Sequence, residues 1–389
     1  MPFLIYVLCL TTFVLGTSEF MVAGMMPSLT EALNVSVEQV GNLISLYAAG
    51  MVVGGPLLTA LLLKWRIPNK QALLWLLAIY AVAQAMAASV SDYNVIALAR
   101  IVTGVAGSAC FGVSVAIGME LLGAASGGRA AGTVLAGLML APVIGLPAAT
   151  LIDQHWGWRA SFWLVVALTI LCAMLIAWLT PASKPGQEVD LHAELSEFKN
   201  RHLWAAYTTS GLIIGATFAG FSYFAPILTQ VTGFSASAIP WILGAYGLAN
   251  VAGNTIVGRY ADRHAMPIMA TGLGVLALTF VAFVMLSQWP VASVALVIVI
   301  GLVGLPMNPA MVARVVSTAR PGPLVNTVHV SVINIGLAAG AWLGGLGIGA
   351  GYGLLSPLWV GAALAVIGLL SLLPYMARRQ STAAHLDGH

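Results

Sequence analysis

PASKPGQEVDLHAELSEFKNR, residues 181–201, is the longest polar passage in this 389-residue chain. On both sides of it the sequence is apolar almost without pause. Hydrophobic residues make up 60% of the whole, charged residues only 7%, and mean hydropathy is +0.97. Soluble domains carry roughly 25% charged residues, so the 27 formal charges here cannot build a water-facing surface. Disorder needs the opposite composition. The chain therefore reads as a polytopic membrane protein, with 181–201 as a joint between two parts.

Crossing a hydrocarbon core of about 30 Å takes about 20 apolar residues in a helix. Before the joint, the runs predict spans near 3–26, 37–62, 70–90, 94–119, 128–152 and 158–180. After it come spans near 203–230, 237–260, 267–286, 290–317, 322–349 and 354–376. The runs are continuous, without the two-residue alternation of a membrane barrel, and lipid leaves helices as the remaining solution. The expected fold class is all-α: twelve transmembrane helices in two pseudo-symmetric six-helix bundles. The expected domains are an N-terminal bundle over 1–180, a cytoplasmic linker over 181–202, a C-terminal bundle over 203–377 and a cytoplasmic tail over 378–389. Ala193 to Arg201 can form a short surface helix.

Lysine and arginine set the orientation. With both termini cytoplasmic, inner loops and tail hold thirteen of them, Lys64, Arg129, Arg201 and Arg263 included. The outer loops hold Arg159 alone. No cleaved signal peptide is expected, since MPFLIYVLCL lacks a positive start. Cys9, Cys110 and Cys172 sit in apolar runs and read as core packing.

A shift of 199 residues superimposes the halves without a gap. It lays Gly16 on Gly215, Pro27 on Pro226, Leu29-Thr30 on Leu228-Thr229, Tyr47 on Tyr246, Gly54 on Gly253 and Gly123 on Gly322. Gly137, Ala141 and Gly145 fall on Gly336, Gly340 and Gly344. Six spans per repeat is an even number, so the two copies run in parallel. Parallel six-helix halves suit an alternating-access transporter with its site between them. The small residues at spacing four on spans five and eleven let backbones approach, and Pro142 and Pro147 can bend span five.

Two ionisable groups lie deep in the spans. Glu19 is seven residues before Met26, and Arg100 is seven residues after Tyr93. At 1.5 Å per residue both stand roughly 10 Å below the outer surface. A charge at such a depth costs roughly 2.5–3.5 kcal/mol on insertion scales, so it needs a partner or a purpose. The 199 shift replaces both, by Phe218 and Val299, as expected of a pair that stands or falls together. Two readings remain: a static ion pair between spans one and four, or a proton switch governed by access to water and the nearby guanidinium. His329 in span eleven reads either as a satisfied core histidine or as a proton relay. Asn42, Gln84, Asn250, Asn254, Asn308 and Asn334 are intramembrane amides.

These residues carry a family resemblance. The chain resembles the major facilitator superfamily over nearly its whole length, most closely the twelve-span drug:proton antiporters that include arabinose and sugar efflux permeases and chloramphenicol-type exporters. GTSEFMVAGMMPSL looks like that group's first helix, with its acid matched by Glu19. IALARIVTGVAGSA is similar to the fourth-helix motif whose arginine, here Arg100, is implicated in proton coupling. GLMLAPVIGLP is similar to the antiporter motif through Gly137, Pro142 and Gly145. WGWRASFW and INIGLAAGAWLGG look like further hallmarks. The loop motif G-x-x-A-D-R is present as Gly258, Ala261, Asp262 and Arg263, where the acid and base can hold a helix end and lock one conformation. Its first-half counterpart is Thr59, Leu62, Leu63 and Lys64, which lacks the acid.

The resemblance implies export by exchange for protons. Neither a G-x-x-x-x-G-K-[ST] loop nor a metal or nucleophile constellation is present, so the expectation is a non-enzyme without cofactor, powered by an ion gradient. Phe221, Tyr223, Asn308 and His329 are the expected substrate contacts. Aromatic side chains with few charges suit a small neutral or weakly cationic amphipathic molecule. A sugar or nucleoside efflux permease of the same fold is the alternative, a proton-coupled importer another, and a transporter-like receptor or scaffold stands in a different class. The expected partners are the substrate, protons and the bilayer of a bacterial inner membrane, with no nucleic acid, and the protein is expected to act as a monomer.

Overall fold

A computed structural model describes residues 3–122, 127–181, 196–318 and 323–386. Every regular element among them is helical. The first half supplies α1 (Phe3–Gly24), α2 (Val37–Lys64), α3 (Asn69–Ser89), α4 (Tyr93–Leu122), α5 (Arg129–Trp156) and α6 (Trp158–Leu179). The second supplies α7 (Arg201–Phe221, continued to Val231), α8 (239–263), α9 (265–286), α10 (Pro290–Thr318), α11 (Pro323–Gly349) and α12 (Ser356–Leu386). Among the described residues eleven helices are long and apolar enough to span a membrane, and one of these, Ala236–Leu286, has 51 residues. At 1.5 Å per residue it would run to roughly 75 Å, more than twice a hydrocarbon core. It is two spans, α8 and α9, so the expected twelve are present. They meet at His264, whose backbone leaves the helical region (φ −126°, ψ 27°). Pro267 supplies the cause, because it lacks an N–H and its ring clashes with the carbonyl of Arg263.

Three spans expected to be unbroken are interrupted. In α5, residues Ala141–Gly145 form a π-turn in which the Leu146 N–H bypasses Pro142 and donates to the Ala141 carbonyl. Pro142 and Pro147 remove two donors within six residues, and the wider turn accommodates the loss. α7 breaks at Ser222–Tyr223 and resumes through a π-turn at Ile227–Val231. α10 breaks at Gly304, followed by a tight turn at Leu305–Met307. The linker expectation falls largely on 182–195, outside the described residues, as do residues 193–195 of the expected surface helix and the Gly123–Gly322 match; of the expected tail, 378–386 continues α12 and only 387–389 lies outside. Lys199 and Asn200 close turns onto Ser196 and Glu197, and Asn200 then caps α7 by accepting from the His202 N–H at 2.9 Å.

The 199-residue repeat survives as repeated contacts. Gly16 packs on Ala141 where Gly215 packs on Gly340, and a methyl added at Gly137 would meet Thr12 where one at Gly336 would meet Gly211. Residues 12 and 211 are themselves 199 apart. Without a hydrophobic force between helices in lipid, close backbone approach is what joins them, so the glycines that stitch α1 to α5 recur between α7 and α11.

The halves meet along two seams, α2 against α11 and α5 against α8, which the repeat interchanges. On the side away from the termini both are shut. The Tyr223 hydroxyl donates to the Ala341 carbonyl at 2.7 Å, its ring seated against Gly41 of α2 and Gly344 of α11. The Glu38 side chain lies against Gly345 and Gly349. In the other seam Gly247 rests on the main chain of Pro142 and Val143, Gly244 on Pro147, and the Gln154 Nε2 donates to the Ala236 carbonyl at 2.6 Å. Toward the termini α5 and α8 part: a methyl at Gly132 or Gly258 would meet no atom within 4 Å.

Candidate functional site: a cavity between the halves

Between the seams lies a cavity of about 380 Å³, walled by both halves. α1 contributes Glu19 and Phe20, α2 Met51, α4 Phe111, and α5 Leu135, Leu138, Met139 and Pro142. α7 contributes Ile214 and Phe218, α8 Asn250, α10 Leu305, Asn308 and Val312, and α11 His329, Val330, Ile333, Asn334 and Leu337. A groove of about 580 Å³ between the parted ends of α5, α8 and α10 shares Leu135, Met139, Asn308 and Val312 with it. The cavity is thus open toward the terminal side and sealed on the other.

The seal above it is aromatic. Phe20 of α1 stacks on Phe218 of α7 with centroids 6.1 Å apart, and Phe221 stacks on Tyr246 of α8 at 4.9 Å. Phe224 and Phe283 extend the cluster. Two of the expected substrate contacts lie outside the lining of this cavity. Phe221 is inside the aromatic plug, and Tyr223 bolts the α2–α11 seam; neither lines the cavity. Phe221 lies one turn beyond Phe218 on the same helix, toward the seal, and Tyr223 falls in the break at Ser222–Tyr223 that follows. Asn308 and His329 do line the cavity.

Glu19 and Arg100 come together, but not as a carboxylate–guanidinium pair. Arg100 is wholly buried. Its Nη1 donates to the Ser18 carbonyl at 2.9 Å and the Ser18 Oγ at 3.4 Å, Nη2 to the Glu19 main-chain carbonyl at 3.5 Å, and Nε to the Leu43 carbonyl at 3.4 Å. The guanidinium carbon stands 4.2 Å from the Tyr47 ring centroid. The cation is satisfied by main-chain dipoles and a π face, and it ties α4 to α1 and α2. That leaves the Glu19 carboxylate, 9% exposed, facing the cavity without a hydrogen-bond donor among the described residues.

His329 is 3% exposed; its Nε2 meets the Ser210 Oγ at 3.0 Å, and its ring stacks on Tyr207. Gly137 and Gly145 seat α5 against α1, at Thr12 and Thr17, and Pro142 lines the cavity where its π-turn begins. Gly258 and Asp262 edge the open groove, and Asp262 and Arg263 are both exposed.

The sequence reading missed Phe20, Met51, Phe111 and Phe218 as wall residues, although the repeat held a signal for them. Four pairs of wall residues are 199 apart: Glu19 and Phe218, Met51 and Asn250, Leu135 and Asn334, Leu138 and Leu337. Equivalent positions face the same space, and in three of these pairs one member is polar and the other apolar.

Twelve helices in two parallel repeats, with a cavity between them open to one side, define a multi-pass alternating-access transporter. The sequence pattern of the Major Facilitator Superfamily matches residues 8–322 and, in a second match, 210–388, and the chain belongs to that family. It is 32% identical over 380 residues to the chloramphenicol resistance protein of Streptomyces lividans, covering 96% of each chain. It is 30% identical to the inner membrane transport protein YdhP of Escherichia coli K12, over 96% of this chain and 95% of that one. To a probable sugar efflux transporter of Pasteurella multocida it is 27% identical, over 93% and 89%. In fold it is similar to a bacterial homologue of the human lysosomal transporter Spinster, solved in an inward-facing and occupied conformation, with a TM-score of 0.74 at 16% identity over 97% and 96% of the chains. The protein is a transporter, not an enzyme.

Proposed function

We propose that this protein is a proton-coupled secondary transporter, exporting small neutral or weakly cationic amphipathic molecules from the bacterial cytoplasm across the inner membrane. The observation that carries the reading is the Glu19 carboxylate, standing free in a mostly apolar cavity that opens to one side only. A carboxyl there exchanges its proton with whichever side has access, and substrate competes for the same space. The lysine and arginine bias puts the termini and the open side in the cytoplasm. Arg100 acts by holding the α1 main chain at Ser18 and Glu19 and so aims the carboxyl. Asn308 and His329 contact substrate from the second half.

In this reading the bundles 1–180 and 203–377 rock as units of a monomer, with 181–202 as a cytoplasmic linker and 378–389 as a tail. Gly137, Pro142 and Gly145 let α5 roll against α1. Gly258, Asp262 and Arg263 close the cytoplasmic gap in the opposite conformation, their exposure here belonging to the open state. The names of the chloramphenicol and efflux relatives support drug-like cargo. The apolar wall, with five polar side chains, fits such cargo better than a sugar.

The test is reconstitution into liposomes under an imposed pH gradient, screened against phenicols, sugars, nucleosides and lipophilic cations. A phenicol or lipophilic cation should evoke proton movement opposite to its own, and Glu19→Gln should abolish the gradient dependence. Gradient dependence unchanged in Glu19→Gln overturns the coupling.

A further inference from the structure

The polar groups of the cavity differ in what they hold out to a ligand. Asn334, 4% exposed, donates from Nδ2 to the Val330 carbonyl of its own helix at 3.1 Å. The amide oxygen is therefore the end left over. Ser210 has a single proton and gives it to the Ala206 carbonyl at 3.0 Å. The 3.0 Å contact between Ser210 Oγ and His329 Nε2 must then have the imidazole as donor. The ring's stacking on Tyr207, 5.6 Å between centroids at 14°, holds that orientation. A neutral imidazole that donates from Nε2 carries its lone pair on Nδ1. Glu19 brings two more acceptor oxygens that take no hydrogen bond among the described residues. Asn250 and Asn308 each offer both a donor and an acceptor, so they do not tip the balance.

Arg100, bonded to the main chain at Glu19, does not redress it. Arg100 is absent from the cavity wall and directs its donors at the Ser18, Glu19 and Leu43 carbonyls and the Ser18 hydroxyl. The cavity thus has spare lone pairs on Glu19, His329 and Asn334, all more than nine-tenths buried. Its apolar remainder includes Phe20, Phe111, Phe218 and Met51. Buried acceptors without donors are costly, and a ligand that supplies the donors gains what they lack.

We propose that the cavity selects its ligand by a hydrogen-bond-donating head of the ammonium type, held by Glu19, His329 and Asn334 with an apolar body against the aromatic wall. Donor count, over and above positive charge, sets affinity. The inference rests on the cavity being the substrate site, but it concerns binding alone and needs no gradient.

A matched pair of ligands isolates the effect: 3-phenylpropylammonium and its N,N,N-trimethyl analogue. Charge and apolar body are shared, and the second has no N–H while burying more carbon. Binding to the purified full-length protein is measured by calorimetry at equal pH on both arms. The primary ammonium should bind about tenfold more tightly, the worth of a hydrogen bond to a charged group. Asn334→Leu should lower that preference at least threefold, a share of the same bond energy, and Asn334→Asp should preserve the preference. Equal or tighter binding of the quaternary ligand by the unmodified protein overturns the proposal, as does failure of both ligands to bind. So does a folded Asn334→Leu protein that keeps the full preference. Failure of the pH-gradient assay beside an intact binding preference would overturn proton coupling and leave this inference standing.

Discussion

Replacing Gly247 by alanine should drive the protein out of the conformation described here. Gly247 of α8 lies on α5 at the carbonyl of Pro142 and the Cα of Val143, so a methyl there would collide with main-chain atoms of α5. A side chain could rotate away; a backbone cannot, and relief requires α5 and α8 to separate. That contact belongs to the state sealed on the far side and is lost when the seal opens. Overpacking of this kind costs about 1–3 kcal/mol, which shifts a two-state ratio by about 5- to 150-fold. Gly274→Ala is the control. It lies in the next span, α9, and gains the same helical propensity, but its methyl would enter open space. Spin labels at 156 and 237, at the far end of α5 and just before α8, report the separation by pulsed dipolar spectroscopy in a background lacking Cys9, Cys110 and Cys172. Gly247→Ala should build up a longer distance and Gly274→Ala should not. An unchanged distribution in Gly247→Ala, or an equal shift in the control, refutes the reasoning.

Arg100→Lys exchanges a planar donor set for a point charge and gives up much of the stacking on Tyr47. It should lower stability by about 2 kcal/mol, the scale of a desolvated cation–π contact, and an unaltered melting temperature in detergent would count against the three-helix tie. Tyr223→Phe removes the hydroxyl bond to Ala341 and should cost about 1 kcal/mol, read as a lower melting temperature. Ligand affinity should not change, and a large loss of affinity would return Tyr223 to the binding site. Phe218→Ala should weaken binding of an aromatic ligand by calorimetry, whereas Phe221→Ala should chiefly cost stability, about 3 kcal/mol. Reversed effects would move the plug and the wall.

Much of the architecture was legible because lipid allows so few solutions. A continuous apolar run of the right length has to be a helix, and a 199-residue self-match has to be a duplicated bundle, so the spans and the exchange of seams under the repeat were written in the chain. The breaks at Ser222–Tyr223 and Gly304 were not, since glycine and proline are common enough in membrane helices to pass without one. Tyr223 lies in the first of those breaks, which hid its place in the seam, while Phe221 ends the helix before it and joins the plug.

Charges at matched depth were a sound reason to bring Glu19 and Arg100 together, and the fold does so. Depth, however, constrains one coordinate only. Whether a guanidinium reaches a carboxylate or a carbonyl depends on helix rotation and on the distance between axes, to within an ångström. Both follow from how closely α1, α2 and α4 approach, through small residues such as Gly104 against Tyr47 and Gly50 against Ile101. Composition and periodicity thus determined that this chain is two bundles in a bilayer with an acid and a base in the first. Only tertiary packing decided that the base binds main chain, that the acid is left facing an open cavity, and that the far side is shut, because those outcomes rest on contacts between residues tens to hundreds of positions apart.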